Sequence, residues 1–211
     1  MDTPTARPSE IYARGDSPHG AHTKILELIG KNKKVLDVGC STGYLAAALK
    51  DNGCFVVGIE KDPESAHEAR RYCDKLITAD LETLQGLDYP AGYFDCLLFA
   101  DVLEHLRDPA RLLGEFRKYL KSPDGLAVVS LPNVARIDIR LKLLFGRFEY
   151  TDSGILDRTH VKFFTLASAR RLLSDSGYTV EKVFYTGLAD RIKILPGLFS
   201  FQFLFAARPG L

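Results

Sequence analysis

The chain has 211 residues and a formal net charge of +1, so its length suits one domain with a single substantial core. A charge this close to neutral gives no overall attraction to nucleic acid or to an anionic membrane surface. Hydrophobic residues make up 46% of the chain and charged residues 26%. This composition is typical of a folded globular protein and excludes a largely disordered one.

Short β-branched runs alternate with longer helical patterns. The predicted strands are Lys34–Val38, Phe55–Glu60, Leu76–Ala79, Phe94–Ala100, Leu126–Leu131, Val180–Thr186 and Phe201–Ala207. The predicted helices are Ala21–Ile29, Tyr44–Asn52, Pro63–Cys73, Pro109–Leu120 and Leu166–Ser176. Pro63 and Pro109 each follow an aspartate, the usual signature of a helix start. The alternation predicts an α/β fold of parallel βαβ units, with helices on both faces of the sheet.

The ends of the chain and its cysteines bear on domain organisation and location. The polar, Pro-rich residues 1–18 predict a disordered segment before a single domain at residues 19–211. No apolar run reaches the roughly 20 residues of a membrane-spanning helix, and no signal peptide pattern is present. Four cysteines, Cys40, Cys54, Cys73 and Cys96, lie in apolar segments without a C-x-x-C pair. We therefore expect reduced thiols in a cytoplasmic protein without a structural zinc site.

Residues 133–165 interrupt the alternation of strands and helices. This segment follows the fifth predicted strand and contains Arg136, Arg140, Lys142 and Arg147 among apolar residues. In open α/β sheets, ligands bind beyond the carboxyl ends of the strands. We expect the segment to form a cap over such a ligand. For its apolar half, the alternative is an amphipathic helix that only packs on the rim of the sheet.

The stretch VLDVGCSTG, Val35–Gly43, predicts a strand that runs into a glycine turn. A dinucleotide site has the pattern G-x-G-x-x-G, whereas Gly39 and Gly43 here form G-x-x-x-G, with Ser41 between them. The G-K-[ST] sequence of a phosphate-binding loop is also absent. The turn therefore predicts close approach of a ligand without a phosphate cradle.

Three carboxylates stand at or near the ends of three successive predicted strands. Asp37 precedes the glycine turn, Glu60 ends the second strand and Asp80 follows the third. Asp37 favours a cationic ligand over a phosphate, Glu60 is spaced like a ribose-binding acid, and Asp80 is placed to accept a hydrogen bond from an exocyclic amine. S-adenosylmethionine carries a positive charge, a ribose and an adenine amino group, so it fits all three.

These motifs resemble those of the class I S-adenosylmethionine-dependent methyltransferases from about Ala21 to the C-terminus. The glycine turn, GIEKDP, ADLE and FDCLLFADVLEHLRDP carry the resemblance. DVLEHLRDP, SLPN, LLFGRFEYTDSGILDRTHVKFFT and LLSDSGY resemble a bacterial subgroup tied to envelope polysaccharide and O-antigen synthesis, and also ubiquinone-type O-methyltransferases. One departure is Ser41, where most relatives carry glycine. A positive φ at this position would introduce modest strain.

The resemblance implies a Rossmann-like, seven-stranded, mostly parallel sheet with a cap insertion after the fifth strand. It also implies S-adenosyl-L-methionine as cofactor and S-adenosyl-L-homocysteine as product. The residues expected to bind the cofactor are Asp37, Gly39, Cys40, Ser41, Gly43, Tyr44, Glu60, Lys61, Asp80, Leu81 and Ala100. For some of them a purely structural role is the alternative: Asp80 as a cap of the following segment, and Tyr44 as ordinary helix packing.

Two groups of residues are candidates for the chemistry. Asp157 and His160, in the sequence DRTH, suggest a histidine base oriented by a carboxylate, or else a structural histidine that pins the cap to the sheet. His105 is a second candidate base. Asp101, Glu104 and His105 share the spacing of one helical face, which suits a divalent cation. The alternative, which we favour, is that Glu104 and His105 only bond locally, so we expect no metal.

The leading hypothesis is a methyltransferase that acts on an oxygen of a small hydroxylated acceptor, such as a carrier-linked sugar. The cap residues expected to hold a phosphate of the carrier are Arg136, Arg140, Arg147 and Arg158. The alternatives are a ubiquinone-type enzyme acting on a phenolic molecule, a nicotinamide-dependent oxidoreductase, and a non-catalytic cofactor-binding domain. We expect no nucleic-acid partner and no transmembrane segment. The protein is expected to be a monomer or a homodimer.

Overall fold

The structure is a computed structural model that describes residues 20–187 and 195–210, and it contains one sheet. Its strands are β1 Lys34–Val38, β2 Phe55–Glu60, β3 Lys75–Thr78, β4 Cys96–Ala100, β5 Leu126–Pro132, β6 Tyr178–Tyr185 and β7 Gln202–Pro209. They form one sheet in the order β3-β2-β1-β4-β5-β7-β6. Strands β1 to β5 are parallel, and β7 runs antiparallel to β5 and β6. The seven-stranded, mostly parallel fold is confirmed, whereas the segment 1–18 lies outside the described residues.

The helices are α1 Ala21–Ile29, α2 Tyr44–Asp51, α3 Pro63–Ala69, α4 Pro109–Phe116, α5 Ile137–Leu144, α6 Leu166–Asp175 and α7 Pro196–Phe199. The predicted starts of α3 and α4 are confirmed, because Asp62 and Asp108 each accept a hydrogen bond from a first-turn amide. Both helices end earlier than predicted. After each helix, a hydrogen bond spans three residues in place of four, from Arg71 N to Glu68 O and from Leu120 N to Arg117 O. These tighter turns direct the chain back toward the sheet. Among the described residues, no helix has the length and apolar character needed to cross a membrane.

Two apolar layers cover the faces of the sheet. One contains the large side chains of Phe94, Phe99 and Phe116, and the other is built around Ile25 and Leu49. Because β1, β2, β4 and β5 are parallel, their carboxyl ends meet at one edge, where connecting segments are free to form a site.

The insertion between β5 and α6 leaves this carboxyl edge, as predicted. Asn133 anchors its start by donating from Nδ2 to the carbonyl oxygens of Gly197 and Ser200. Val134 N donates to Phe164 O at 2.9 Å and joins the two ends of the insertion. Inside, Ile139, Ile155 and Leu156 form a small separate apolar cluster. The insertion is therefore a folded cap attached to the sheet edge.

Candidate active site

Two clefts open at the carboxyl edge of the sheet. The first, about 290 Å³, is lined by residues that include Gly39, Ser41, Glu60, Lys61, Asp80 and Leu81. The second, about 480 Å³, lies under the cap and is lined by residues that include His22, Glu104, Pro132, His160, Phe201 and Gln202. Asp101 and His105 belong to the walls of both clefts. The two cavities therefore meet at the end of β4.

The glycine turn after β1 lets the chain pass very close to neighbouring elements. Gly39 has a φ of +75°, and a Cβ there would lie 2.6 Å from Val102 Cγ2. Ser41 has a φ of +49°, so the serine occupies a left-handed conformation that glycine adopts more easily. The strain anticipated at this departure from the family pattern is therefore present in the backbone.

The amides of this turn are largely used within the protein. Gly39 N and Cys40 N both donate to Ile59 O at 2.9 Å, and Gly43 N donates to Cys40 O at 2.9 Å. A phosphate cradle needs several amides directed at the ligand, and these three are already bonded. The turn thus offers close approach, as the G-x-x-x-G spacing predicts.

Glu60 connects the two walls of the first cleft. Its Oε2 accepts from Ser41 N at 2.9 Å, and its Oε1 accepts from Lys61 N and Asp62 N at 2.8 Å. A carboxylate offers about four lone-pair sites, so three amide bonds leave acceptor capacity for a ribose hydroxyl. Glu60 therefore supports the turn and lines the cleft.

Asp80 and Leu81 line the opposite side of the first cleft. Asp80 Oδ1 accepts from Glu82 N at 2.9 Å, so the side chain does cap the segment after β3. The cap uses one oxygen, and the carboxylate retains acceptor capacity on the cleft wall. The cofactor role and the structural role proposed for Asp80 are compatible.

Five of the residues expected to contact the cofactor are not among those that line either cleft: Asp37, Cys40, Gly43, Tyr44 and Ala100. The Cys40 sulfur points into the core, where a Cβ on Gly58 would lie 2.7 Å from it. Gly43 instead permits close packing, because its Cβ would approach the Cα of Ala69 to 3.0 Å. The Tyr44 ring lies 5.0 Å from that of His22. That these five residues contact the cofactor stays a prediction.

Asp37 is buried behind the turn, with only 2% of its surface exposed. Its Oδ2 has no hydrogen-bond partner within the described part of the chain. Burial, and secondarily the nearby Glu60 carboxylate, raises the pKa of Asp37 to about 7. A cation bound in front of the turn would stabilise the ionised form of this group.

The first cleft fits S-adenosylmethionine on this chain's own chemistry. Glu60 supplies acceptors for a ribose, and Asp80 and Leu81 supply an acceptor and an apolar surface for an adenine. The unpartnered Asp37 oxygen suits a positively charged ligand. The alternative, a dinucleotide, requires a pyrophosphate site that the internally bonded turn does not provide.

Asp101, at the junction of the clefts, is held firmly despite a left-handed backbone with a φ of +51°. Its Oδ1 accepts from Ser130 Oγ at 3.0 Å and from Gln202 Nε2. Its backbone N–H donates to Ser130 Oγ at 3.0 Å. The surrounding protein shields the Asp101 carboxylate from water and so raises its pKa, and the hydrogen bonds from Ser130 and Gln202 oppose this effect. A left-handed φ held by these three hydrogen bonds makes Asp101 a candidate functional residue.

The cap brings two histidines together beside a buried glutamate. The rings of His105 and His160 lie 4.8 Å apart, and His160 Nε2 lies 4.0 Å from Glu104 Oε1. Burial and the Asp101 carboxylate raise the pKa of Glu104 well above its usual range, which favours the protonated carboxyl. Glu104 O also accepts from Val161 N and Lys162 N at 2.9 and 3.0 Å, so this cluster attaches the cap to the sheet.

The same cluster has the composition of a metal site. Ligand atoms of Glu104, His105 and His160 lie within 4.8 Å of one another. One carboxylate and two imidazoles suit a divalent transition metal. The sequence spacing predicts Asp101, Glu104 and His105 as the candidate ligands, whereas the structure brings His160 to Glu104 and His105 in place of Asp101. That no metal is used remains a prediction.

His105 is the better oriented of the two candidate bases. Its Nδ1 lies 3.2 Å from both the carbonyl oxygen and the hydroxyl of Thr159. Because a carbonyl only accepts, this contact assigns the proton to Nδ1 and leaves the lone pair on Nε2. Partial burial, and secondarily His160, lowers the pKa of His105. The neutral form required of a base is thus favoured.

Asp157 does not orient His160, which corrects one expectation. Its Oδ1 accepts from Thr159 N at 2.8 Å and from Thr159 Oγ1 at 2.7 Å, whereas His160 Nδ1 bonds to Ile155 O at 3.1 Å. The tight turn directs the carboxylate toward Thr159 and away from the buried His160 ring. Through Thr159, Asp157 instead positions His105.

Sequence reasoning missed Ser130 and Gln202, which fix the carboxylate of Asp101. Ser130 lies within a buried strand, and Gln202 begins β7, whose antiparallel direction places that start at the carboxyl edge of β5. The signal available in the sequence was a polar residue, Gln202, near the start of the last predicted strand, but its direction in the sheet was not predicted.

Comparison with known proteins agrees with this geometry. A family model described as "Methyltransferase domain" matches residues 15–183. The ubiquinone biosynthesis O-methyltransferase of Psychrobacter arcticus is 30% identical over 170 residues, covering 77% of this chain and 65% of that protein. The protein of the same name from Thiobacillus denitrificans is 31% identical over 157 residues, with coverage of 72% and 66%. The chain thus spans slightly less than two thirds of these relatives.

Solved structures share the fold. An S-adenosylmethionine-dependent methyltransferase from Mesorhizobium loti gives a TM-score of 0.66 at 22% identity, covering 92% of this chain and 99% of that one. Magnesium protoporphyrin IX methyltransferase from Synechocystis, solved with bound SAH, gives 0.60 at 19% identity, with coverage of 96% and 80%. The chain therefore shares the fold of solved S-adenosylmethionine-dependent methyltransferases. The chain belongs to the methyltransferase domain family, and its first cleft provides the groups that S-adenosylmethionine would need.

Proposed function

We propose that the chain methylates a hydroxyl oxygen of a small acceptor held in the second cleft, with the donor held in the first. The observation that carries this proposal is that both clefts share Asp101 and His105. When bound, S-adenosylmethionine supplies an electrophilic methyl group on a sulfonium. The enzyme then gains rate mainly by holding the acceptor oxygen in line with it.

We assign donor binding to Gly39, Ser41, Glu60, Lys61, Asp80 and Leu81, which line the first cleft. Asp37, Cys40, Gly43, Tyr44 and Ala100 support that cleft from behind.

We assign the role of base to His105. Its Nδ1 is bonded to Thr159, so its Nε2 is free to accept the hydroxyl proton as the oxygen is methylated. His160 lies behind it, with Nδ1 bonded to Ile155 O and Nε2 4.0 Å from the buried Glu104 carboxyl. In this arrangement His160 and Glu104 fix the position of His105, and Asp157 holds Thr159 in place.

A phenolic hydroxyl suits this site better than a sugar hydroxyl. A phenol has a pKa of about 10, closer to that of an imidazole than an alcohol's. The two relatives described above carry the name of an O-methyltransferase of ubiquinone biosynthesis, which supports oxygen as the acceptor atom. Two cap arginines expected to hold a carrier phosphate, Arg136 and Arg158, are already paired with Asp138 and Asp152. A carrier-linked sugar, as in envelope polysaccharide synthesis, remains the second candidate.

Incubation with methyl-labelled S-adenosylmethionine tests this proposal. The acceptors are a catechol-type phenol, a nucleotide sugar and a fractionated bacterial extract, and the labelled product is identified by NMR. We expect an O-methyl ether on the phenol. An O-methyl sugar would transfer the proposal to the second candidate, and label on nitrogen or nucleic acid would refute the acceptor class. Calorimetry with NAD in parallel should show no binding, and binding would favour the oxidoreductase alternative.

A further inference from the structure

The cap carries a concentrated exposed apolar surface that the proposed chemistry does not use. Nine large hydrophobic residues are exposed in the described part of the chain, and six of them lie between residues 141 and 150. They are Leu141, Leu143, Leu144, Phe145, Phe148 and Tyr150, here called the apolar cap surface. Leu144 and Phe145 are each 75% exposed. Clustered exposure of this kind marks an interaction site, whereas scattered exposed residues do not.

Basic side chains are interleaved with this surface. Residues 136–150 contain four basic and two acidic side chains, a local excess of two positive charges in a chain whose net charge is +1. Lys142 and Arg147 line one shallow groove together with Leu141, Phe145 and Asp138, and the Asp138 carboxylate is paired with Arg136. An interface between two protein copies excludes charges from its apolar centre. Surfaces that lie on a membrane combine Leu and Phe with Lys and Arg, which contact anionic headgroups.

The apolar cap surface is also continuous with the second cleft. The rings of Phe148 and Tyr150 lie 5.8 and 6.4 Å from that of Phe163. Phe163 in turn lies 6.3 Å from the ring of His160, which lines the cleft. A row of aromatic rings thus leads from the exposed surface to the site of the chemistry.

We propose that the apolar cap surface docks on an anionic lipid bilayer, with Leu144 and Phe145 inserted among the acyl chains and Lys142 and Arg147 against the headgroups. Docking in this way places the aromatic row at the membrane, where an acceptor with an apolar tail can reach the second cleft without entering water. The inference goes beyond the proposed reaction, because lipid binding needs neither donor nor acceptor.

Co-sedimentation with vesicles tests the docking. Wild-type protein should pellet with vesicles of phosphatidylcholine mixed with phosphatidylglycerol and remain soluble with phosphatidylcholine alone. Binding should weaken at high salt, because headgroup attraction is screened. Leu144→Ser combined with Phe145→Ser should lower partitioning at least about tenfold, since both side chains lose their apolar contact with the bilayer.

The charge contribution has a matched control. Lys142→Glu with Arg147→Glu should reduce binding about tenfold or more. Lys31→Glu with Lys33→Glu makes the same change in net charge at the opposite edge of the sheet, before β1, and should leave binding nearly unchanged. Both pairs are exposed, and unchanged affinity for S-adenosylhomocysteine in every variant verifies the fold.

Two results would overturn the docking proposal. One is equal pelleting of the wild type and the Leu144→Ser, Phe145→Ser variant. The other is a wild-type dimer by light scattering that becomes a monomer in that variant, which would assign the surface to a second copy of the chain. Failure of methyl transfer with intact vesicle binding would count against the proposed function alone.

Discussion

The two clefts that meet at Asp101 are built by different means. The first is formed by strand ends and a backbone turn, and its main carboxylate, Glu60, holds three amides of the chain. The second is lined by side chains from several segments of the chain, to which the cap adds Gly154 and His160, and its centre is a cluster of titratable groups, Glu104, His105 and His160. A constant ligand can be recognised by fixed backbone geometry, whereas a particular acceptor needs side chains that one insertion can supply. We therefore expect substitutions in the first cleft to weaken donor binding and substitutions in the second cleft to lower turnover.

The largest expected effect belongs to the second cleft. His105→Ala should lower kcat by about 10² to 10⁴-fold, since the hydroxyl loses its base. Affinity for S-adenosylhomocysteine, measured by calorimetry, should stay within a few-fold. His67→Ala, an exposed histidine on α3, is the control and should have no effect. A His105→Ala enzyme of full activity, combined with a strong defect in His160→Ala, would transfer the role of base to His160.

Because of Asp37, which lies behind the first cleft, the free energy of unfolding should depend on pH. Its pKa is raised to about 7, so the folded protein holds a proton that the unfolded chain releases at an ordinary carboxyl pKa. This stabilisation is complete below the unfolded pKa and is lost as pH rises through about 7. Asp37→Asn should therefore match the wild type near pH 4 and exceed its free energy of unfolding by about 2–4 kcal/mol near pH 8. Urea unfolding across this range measures the difference, and a difference independent of pH would refute the assigned pKa.

Substitution of Glu60 tests whether the first cleft contributes to donor affinity and not to kcat. Glu60→Ala should weaken S-adenosylhomocysteine by about 1–3 kcal/mol, because charge-assisted bonds to the ribose and to the Ser41 amide are both lost. Saturating donor should then restore most of kcat, in contrast to His105→Ala. Glu64→Ala, on the exposed first turn of α3, is the matched control. Unchanged affinity in the Glu60 variant would remove this residue from the site.

The smallest effect is expected at Ser41. Glycine relieves the left-handed strain but also makes the unfolded chain more flexible. Ser41→Gly should therefore raise the free energy of unfolding by less than about 1 kcal/mol, with donor affinity equal or slightly higher. Asn32→Gly is a suitable comparison, because Asn32 has a φ of +56° and asparagine tolerates this region better than serine. A loss of affinity in Ser41→Gly would show that the serine side chain contributes to binding.

The sequence predicted the first cleft more fully than the second. Gly39, Glu60 and Asp80 follow from strand ends, because parallel strands bring their carboxyl ends to one edge. The same reasoning gives Asp37 and Ala100 as cofactor contacts, whereas the structure buries both and neither is among the residues that line the two clefts. A strand pattern does not reveal which face the last side chain occupies. The pairing of His105 with His160 and Thr159 depends on how the cap folds back over 54 residues. No periodic pattern encodes that contact.

NMR titration of labelled histidine would show whether His105 is a neutral base at the junction of the two clefts. His105, assigned by comparison with His105→Ala, should carry its proton on Nδ1 and titrate below the ordinary histidine pKa of about 6.5. Its resonances should shift when S-adenosylhomocysteine is added, while those of His67 stay in place. An ordinary pKa for His105, with resonances that the product leaves unchanged, would contradict the account.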